Sequence, residues 1–439
     1  MNRKVKIISS LVITFALLLA ACSPAAPAPA GAPPAPAPAP AGTPAAPAPA
    51  AAATDEPVTL EFFLLKLQAL GVHEEMQELF QQENPHITVN FIATPDAETA
   101  LFARIASGDI PDMMNTWPTM LTYRMMMDDG MFVELSGQPW FNRIPDHIQQ
   151  LTQHNGRQYS VPVGMSAYGV FYNQDIFAEH NLSIPTTWEE FMAVAQTLQD
   201  AGITPIALYG GQPGPIGQMM ERFVGIVEPN NDSDTFFRNV VQGTEDIWAR
   251  PDLRVVGEMM LDVRRFSQLD VMGFNQDQAQ AEFITGRAAM IIGGTWFNTA
   301  FLAAAPDFGI SVFPLPNPKG PFGLPFSVDT AWSISTSAAC VDSAIKKLEF
   351  LTRTEISQMY ADVEGSPNVV EGVQFNNEML KSINADMNDP NLNVFLTNVN
   401  HWPPGFRARW QEYGQLLLMD GDVDNFIRNT ERMLHEFYE

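Results

Sequence analysis

The residues that most often catalyse reactions or bind metals are present in this chain, but their spacing favours neither role. Its 50 Asp and Glu residues include no pair that stands out as the two carboxylates of a glycosidase. No Ser-His-Asp elbow is apparent, and the glycine pairs Gly210-Gly211 and Gly293-Gly294 lack the context of a phosphate-binding loop. Paired ligand spacing for zinc is also missing from the histidines, which are His73, His86, His147, His154, His180, His401 and His435. The sequence therefore predicts no enzymatic activity, no cofactor and no metal.

The residues that precede Cys22 predict that this cysteine is covalently modified. Three basic residues precede the apolar run Ile7–Ala21, which ends in Leu-Ala-Ala directly before Cys22. A basic start, a short apolar run and small residues at the cut site are typical of a secretory signal peptide. Leu-Ala-Ala-Cys also resembles the bacterial lipobox, so we expect residues 1–21 to be removed and Cys22 to carry a lipid. An ordinary secretory signal with an incidental cysteine is the alternative.

The segment after this cysteine predicts a tether. Ser23–Ala53 consists almost wholly of Pro, Ala and Gly, a composition that stays extended and cannot form a core. At about 3.1 Å per residue it reaches on the order of 100 Å. We expect residues 22–56 to attach a folded domain, through the lipid, to the outer face of the cytoplasmic membrane. With Cys22 acylated, Cys340 has no cysteine partner and is most simply a small buried residue.

Composition excludes several classes of partner. The chain has 24 Lys and Arg against 50 Asp and Glu, and removing the signal peptide leaves 21 basic residues and a net charge of −29. Such a charge argues against nucleic acid and anionic lipid headgroups, and it disfavours a strongly anionic ligand. The folded part is long enough for two domains or one two-lobed body with a sizeable core.

Apolar segments of strand length alternate with helical patterns along the folded part. Strands are predicted at Val58–Leu64, Ile87–Ile92, Pro111–Asn115, Tyr168–Tyr172, Pro205–Leu208, Ala288–Ile292, Gly309–Phe313 and Ala331–Ser335. Among the predicted helices, one begins with the capping box Thr187-Trp188-Glu189-Glu190 and continues to Asp200. This alternation predicts parallel βα units and therefore an α/β fold.

Five stretches share an order and spacing with one known family. They are Asn84-Pro85-His86-Ile87 within Val58–Ile92, Gly108-Asp109-Ile110-Pro111-Asp112, Tyr172–Phe177 with Pro185–Phe191, Phe283–Met290 with Gly293–Trp296, and Trp332–Ser335 with Phe350-Leu351-Thr352. In this arrangement they resemble the extracellular solute-binding proteins of ABC importers, in particular the carbohydrate-binding group that includes maltose-binding protein.

The resemblance implies an architecture of two α/β lobes with a ligand cleft between them. Crossover strands would join the lobes near Gly164–Ser166, near Ala331 and near Gly365–Asn368, and these crossovers would act as a hinge. The implied ranges are 57–165 with 331–366 for lobe 1, and 166–330 with 367–439 for lobe 2.

The resemblance also implies a neutral sugar or oligosaccharide as ligand, which needs aromatic faces for its C–H patches and polar side chains for its hydroxyls. Trp296 corresponds to the aromatic residue that family members stack on a sugar ring. At the loop Lys66-Leu67-Gln68, maltose-binding protein has a charged pair, so the departure here disfavours a maltodextrin. The candidate ligand-binding residues are Gln68, Thr116, Trp117, Ser166, Gln212, Trp296, Asp329, Trp402 and Arg407.

Two further tryptophans and one glutamate are predicted to lie away from the ligand cleft. We expect Trp332 and Trp410 to lie in the core rather than in the cleft, and Glu221 to be exposed to solvent.

Three functions remain open at this point. The first is a monomeric lipoprotein that captures a sugar and presents it to the permease subunits of an ABC importer. The second is a secreted glycoside hydrolase, which requires a pair of catalytic carboxylates. The third is a ligand-sensing subunit of a membrane receptor, which would share the same fold.

Overall fold

The computed structural model describes the folded part of the chain with a few short gaps. The signal peptide, Cys22 and the tether lie outside the described residues, and so do the side chains of residues 68, 233–235 and 394–396. The described ranges are 56–94, 97–227, 233–250, 252–318, 320, 323–383, 394–396, 402 and 405–439. Across these ranges no helix is long and apolar enough to cross a membrane.

The strands form a sheet in the order β2-β1-β3-β8-β4-β6-β5, in which β7 pairs with β4 and β9 with β8. Strand β1 is parallel to β2 and β3, and β5 is parallel to β6, as βα units require. Strand β4 is antiparallel to β6, β7 and β8. The strands are β1 Val58–Leu64, β2 Ile87–Ala93, β3 Met113–Thr116, β4 Val161–Asn173, β5 Thr204–Ala207, β6 Ala288–Gly294, β7 Ile310–Pro314, β8 Leu324–Ile334 and β9 Val394–Leu396.

The helices cover the sheet. The capping box at the start of α6 is confirmed, since the amide of Glu190 donates to the Thr187 hydroxyl and the Glu190 carboxylate accepts from the Thr187 amide, both at 3.2 Å. The helices are α1 Leu70–Glu83, α2 Ala97–Ser107, α3 Leu121–Asp128, α4 Asp146–Thr152, α5 Gln174–Glu179, α6 Trp188–Asp200, α7 Pro213–Val227, α8 Ser233–Val241, α9 Asp252–Arg265, α10 Gln276–Ile284, α11 Asn298–Ala304, α12 Val341–Leu351, α13 Thr354–Glu364, α14 Phe406–Asp420 and α15 Val423–Tyr438.

Strands β4 and β8 are much longer than the sequence predicts. The sequence predicts strands that begin at Tyr168 and Ala331, whereas in the structure they begin at Val161 and Leu324. The sequence pattern places Pro162 and Gly164 outside any strand, yet both lie within β4, where the register against β8 shifts. The sheet accommodates them there because a bulge leaves the local ladder incomplete.

Buried side chains form separate clusters on the two sides of these long strands. One large cluster surrounds β5, β6 and α7 and contains Trp410, and we call this part the second lobe. On the other side, Phe62 and Phe63 of β1 point to opposite faces of the sheet and enter two clusters, which together define the first lobe. Trp332 belongs to the Phe62 cluster. Both Trp332 and Trp410 are fully buried, which confirms their assignment to the core.

The segment that follows α13 is where the sequence predicts the third passage between the lobes. Helix α13 is capped by Gly365, whose φ of +61° is in the left-handed region that favours glycine. The next residues run beside β4, where the amide of Met165 donates to the Pro367 carbonyl at 2.8 Å and that of Val369 to the Val163 carbonyl at 3.3 Å. We call residues 365–368 the third crossover. The exact residue ranges of the lobes stay a prediction.

Candidate functional site

A cavity of about 330 Å³ lies where the two lobes and the long strands meet. The first lobe contributes residues that follow β1 and β3 and residues of α2, and the second lobe contributes α7, α10, α14 and the turn after β6. Ligand sites of α/β sheets commonly lie at such strand and helix ends. Five of the predicted ligand-binding residues line this cavity, namely Trp117, Ser166, Trp296, Asp329 and Arg407.

Two tryptophans bring aromatic surface to the cavity from opposite lobes. Trp117 packs on the first-lobe cluster, with its ring centroid 6.1 Å from that of Tyr123 in an edge-on arrangement. Trp296 packs on the second-lobe cluster, 5.9 Å from the Tyr168 ring. Its ring folds back over Gly294, where any Cβ atom would collide with it. The glycine is therefore what lets Trp296 lie against its own strand.

The long strands contribute hydroxyl groups to the same cavity. Ser166 on β4 is paired in register with Ser327 on β8, and their Oγ atoms lie 3.3 Å apart. Both serines line the cavity. A hydroxyl can donate one hydrogen bond and accept others, so this pair suits a ligand that carries hydroxyl groups itself.

A buried ionic cluster lies between the first lobe and the crossovers, and we call it the Lys66 triad: Lys66, Asp329 and Glu364. The Lys66 ammonium donates to Asp329 Oδ2 and, at 2.5 Å, to Glu364 Oε2. The three side chains are 11%, 12% and 3% exposed, respectively. Burial alone would lower the pKa of Lys66, but the charges of Asp329 and Glu364 outweigh it and raise that pKa well above its ordinary value.

A second ionic cluster lies in the second lobe, and we call it the Glu221 triad: Glu221, Arg222 and Arg407. Arg222 Nη1 and Arg407 Nε donate to the two oxygens of Glu221, each at 2.9 Å. The expectation that Glu221 is exposed is wrong, because two guanidinium groups compensate its charge and its side chain is only 1% exposed.

The two arginines of this triad respond differently to burial. Burial lowers the pKa of Arg222, and the charge of Glu221 only partly opposes this. In Arg407 burial acts in the same direction, but Glu221 outweighs it and raises the pKa, with a smaller contribution from Glu98 on α2 of the first lobe. Because Glu98 and Arg407 both line the cavity, charges from the two lobes interact across it.

Three predicted site residues lie outside the lining of this cavity. Thr116 is fully buried in β3, and its hydroxyl is 2.9 Å from that of Ser333. Gln212 accepts a hydrogen bond from the amide of Gln276 at 3.3 Å and is itself exposed. Trp402 packs in the second-lobe core, 5.0 Å from the Phe406 ring.

The side chain of the fourth such residue, Gln68, is outside the described part of the structure.

Sequence reasoning missed Glu98, Arg222 and Ser327 as cavity residues, and in the loop after β1 it selected Gln68 rather than Lys66. Lys66 had a usable signal, since it comes two residues after a parallel strand, and ligand contacts gather at that end of such strands. Arg222 lies in the middle of α7 and Glu98 near the start of α2, and a helical pattern does not indicate which charged positions face a cleft.

Within the described ranges, no group of three or more His, Cys, Asp or Glu side chains could bind a metal ion. Cys340 is half-buried rather than buried, because it lies at the N-cap of α12, where its thiol is 3.2 Å from the Ser343 hydroxyl.

Comparison with known proteins identifies relatives over most of the folded part. The family model described as bacterial extracellular solute-binding protein matches residues 67–358. A multiple sugar-binding protein from Streptococcus mutans is 28% identical over 326 residues, which cover 73% of this chain and 77% of the relative. An uncharacterised ABC transporter extracellular-binding protein from Pyrococcus horikoshii is 28% identical over 225 residues, about half of each chain.

Solved structures share the architecture. The solute-binding protein RafE in complex with raffinose superposes with a TM-score of 0.77 and 25% identity, over 87% of this chain and all of that one. The ligand-free form of RafE from Streptococcus pneumoniae gives a TM-score of 0.75 and 24% identity, over 88% and 99% of the chains. The predicted two-lobed α/β fold and the predicted family are therefore both confirmed.

Proposed function

This chain belongs to the family of bacterial extracellular solute-binding proteins, and we propose that it captures a neutral sugar or short oligosaccharide and delivers it to an ABC importer. The observation that carries the proposal is the cavity, to which opposite lobes contribute the rings of Trp117 and Trp296 beside hydroxyl and charged side chains. The sugar-binding relative and the raffinose complex support the same class of ligand.

The lining suits a neutral polyol for physical reasons. Tryptophan rings cover the apolar C–H faces of a sugar, and the hydroxyl pair of Ser166 and Ser327 exchanges hydrogen bonds with its hydroxyls. Asp329 and Arg407 add an acceptor and a donor whose charges are already paired inside the protein. A neutral ligand brings no charge that competes with these ion pairs and can only adjust them through hydrogen bonds, whereas a charged ligand would have to disrupt them.

Capture requires the lobes to close on the ligand. A sugar that touches Trp117 and Trp296 at once has more contacts when the lobes approach, so it shifts the population towards the closed form by its differential affinity. The crossovers β4, β8 and residues 365–368 are the segments whose backbone torsions change. The permease can then distinguish the loaded from the empty protein by shape, with no covalent chemistry.

The site does not favour the glycosidase alternative. A glycosidase places two carboxyl groups on either side of one bond and keeps one of them as a proton donor. In this cavity Asp329 is bonded to the Lys66 ammonium, and Glu98 lies on the first lobe near Arg407. Asp329 is thus paired with a cation and Glu98 faces a positive charge of the other lobe, which suits binding rather than proton transfer.

We place the protein outside the cytoplasm, as its family indicates, and propose that Cys22 anchors it to the membrane through a lipid. In the expressing bacterium, Cys22→Ala should move the protein from the membrane fraction to the soluble fraction. Intact mass of the membrane-extracted wild type should show a lipid on a chain beginning at residue 22. Unchanged membrane retention of the variant would contradict the lipid anchor.

A thermal-shift screen tests the binding function. A ligand that binds only the native state at one hundred times its Kd stabilises by about 2.7 kcal/mol, so the right sugar should raise Tm visibly. The panel contains raffinose, stachyose, maltose, chitin oligosaccharides and xylo-oligosaccharides, with titration calorimetry on each hit. Failure of every carbohydrate to shift a well-folded protein would overturn the proposal, and release of shortened products would make it an enzyme.

A further inference from the structure

We propose that the Lys66 triad couples the ligand cavity to the third crossover, with Glu364 as the positioning residue that transmits the coupling. The inference concerns regulation of the proposed sugar site and rests on that function for the role of the ligand. Its central observation is that one buried ammonium group lines the cavity and also bonds the residue immediately before the hinge glycine.

The first step is the position of Lys66. It follows β1 and lines the cavity. Its ammonium bonds Asp329 on the crossover strand β8 and Glu364 at the end of α13. These partners lie 263 and 298 residues further along the chain. One side chain of the first lobe is therefore bonded to the crossover strand β8 and to the residue that directly precedes the third crossover.

The second step is that the backbone at Glu364 is bonded to the second lobe. Asn298 on α11 donates its side-chain amide to the Glu364 carbonyl at 3.4 Å. Asn377 donates to the Gly365 carbonyl at 2.9 Å and to the Asn298 side chain at 2.6 Å. A Cβ atom on Gly365 would collide with Asn298, so the backbone of Gly365 is in close contact with this side chain. A displacement of Glu364 therefore moves the peptide that α11 contacts.

The third step is the charge balance of the triad. One cation serves two carboxylates in a setting that is almost closed to water. Among the described residues, Glu364 Oε1 has no hydrogen-bond partner, although it is buried. A buried carboxylate oxygen without a partner is costly, so the bond to Lys66 is the main compensation that Glu364 receives. The position of Glu364 thus depends on where the ammonium group lies.

The coupling follows from competition for that ammonium. A sugar hydroxyl in the cavity that accepts a hydrogen bond from Lys66, or donates one to Asp329, changes how strongly Lys66 attracts Glu364. The backbone at residues 364 and 365 then adjusts, and the third crossover adjusts with it. Occupancy of the cavity is in this way transmitted to a hinge segment that the ligand does not touch.

Hydrogen exchange in the ligand-free protein tests the coupling directly. Three backbone hydrogen bonds hold the third crossover and the end of α13 in place. The amide of Met165 donates to the Pro367 carbonyl, that of Gly365 to the Ala361 carbonyl, and that of Val369 to the Val163 carbonyl on β4. Lys66→Met and Glu364→Gln should each speed exchange at these amides by roughly tenfold, because local opening sets the rate. If Glu364 acts through Lys66, the double variant should exchange no faster than the faster single variant.

Two further variants separate coupling from general damage. Lys66→Arg keeps a cation and its donors and should return exchange at the crossover to within about twofold of the wild type. Glu378→Gln is the matched control, since this exposed carboxylate lies close to the same hinge but pairs with Lys381. It should leave exchange unchanged.

Three results would overturn the coupling. They are additive effects of the Lys66 and Glu364 variants, unchanged exchange in Lys66→Met, and faster exchange spread evenly over the first lobe with no focus at the crossover.

A raffinose titration distinguishes this inference from the proposed function. If raffinose slows crossover exchange in the wild type but not in Glu364→Gln, the transmission to the hinge is supported. If raffinose binds both proteins and slows exchange in both equally, the coupling is wrong and the binding function stands. If no carbohydrate of the thermal-shift panel binds the wild type, the proposed function fails, and the ligand-free exchange still decides whether Lys66 and Glu364 are coupled.

Discussion

The two ionic triads beside the cavity have opposite compositions and different anchoring. The Lys66 triad places one cation between two carboxylates, and the Glu221 triad places one carboxylate between two guanidinium groups. Glu221 and Arg222 are neighbours on α7, and Arg407 lies in the first turn of the adjacent α14, so that triad stays within the second lobe. In the Lys66 triad, Lys66 and Glu364 belong to first-lobe segments, with Glu364 directly before the third crossover, and Asp329 lies on the crossover strand β8.

The difference in anchoring predicts a difference in role. A triad whose members move together reinforces packing, and its loss reduces stability. A triad whose members lie on a crossover or directly beside one responds to lobe closure, and its loss changes motion and affinity. The predictions below test this contrast, beginning with the largest expected effect.

Removing the carboxylate of the Glu221 triad should have the largest effect. Glu221→Leu leaves two guanidinium groups without their shared anion in a buried setting, which should cost about 3–5 kcal/mol of unfolding free energy. Urea denaturation measures the loss, with Glu412→Gln on the exposed face of α14 as the control. A loss below about 1 kcal/mol would show that Glu221 does not reinforce the lobe.

A second buried lysine, Lys347, shows how the surroundings of a lysine determine the direction of its pKa shift. Lys347 is fully buried, donates to Gln77 Oε1 at 2.9 Å and lies over the Phe80 ring. Burial lowers its pKa to about 7, whereas the carboxylates beside Lys66 reverse the effect of burial there.

The lowered pKa of Lys347 predicts a pH dependence of stability. Between about pH 7 and pH 10 the unfolded chain binds a proton at this position that the native chain lacks, so unfolding free energy should rise with pH. The slope should approach about 1.4 kcal/mol per pH unit. It should disappear in Lys347→Met and persist in the exposed neighbour variant Lys346→Met. A wild-type stability that is flat over this range would contradict the assignment.

Lys66 should behave in the opposite way. Since its pKa is raised, its contribution to stability is complete below the ordinary lysine pKa and is lost only as pH rises through the still higher value in the folded protein. Lys66→Met should therefore add no slope to the stability curve between pH 7 and pH 9.

Tryptophan variants separate the cavity from the core. Trp296→Ala should weaken sugar binding by roughly tenfold or more, since stacking contributes on the order of 1–3 kcal/mol. Trp402→Ala, from the second-lobe core, should lower Tm and leave affinity unchanged. Titration calorimetry measures the affinity of both variants for the sugar, and thermal denaturation measures their Tm. Unchanged affinity in Trp296→Ala would mean that this ring serves packing alone.

Lobe closure is the smallest expected signal. The right sugar should reduce the radius of gyration in solution scattering slightly and should quench or shift the fluorescence of Trp117 and Trp296, which line the cavity from opposite lobes. Glu364→Gln should reduce this compaction at saturating sugar, whereas Glu412→Gln should not. A tight ligand that changes neither observable would indicate a rigid site on one lobe.

Local elements could be predicted closely because their causes are local. The strand Val58–Leu64 has the predicted bounds, and α6 begins at the predicted capping box and continues to Asp200 as expected. Hydrophobic periodicity and caps act over a few residues, so they can be read from the sequence itself. The full lengths of β4 and β8 could not be predicted, because pairing between the two strands keeps Pro162 and Gly164 within a ladder.

The sequence by itself determined the alternation of strands and helices, the family, and the aromatic and polar residue types that a sugar site needs. Tertiary structure decided which of those residues share a cavity. Trp117 and Trp296 reach it, while Trp402 is covered by the second-lobe core. It also decided that Lys66 meets Glu364, 298 residues away. Such a contact depends on where the crossovers return the chain, and no local pattern of charge or hydrophobicity contains that information.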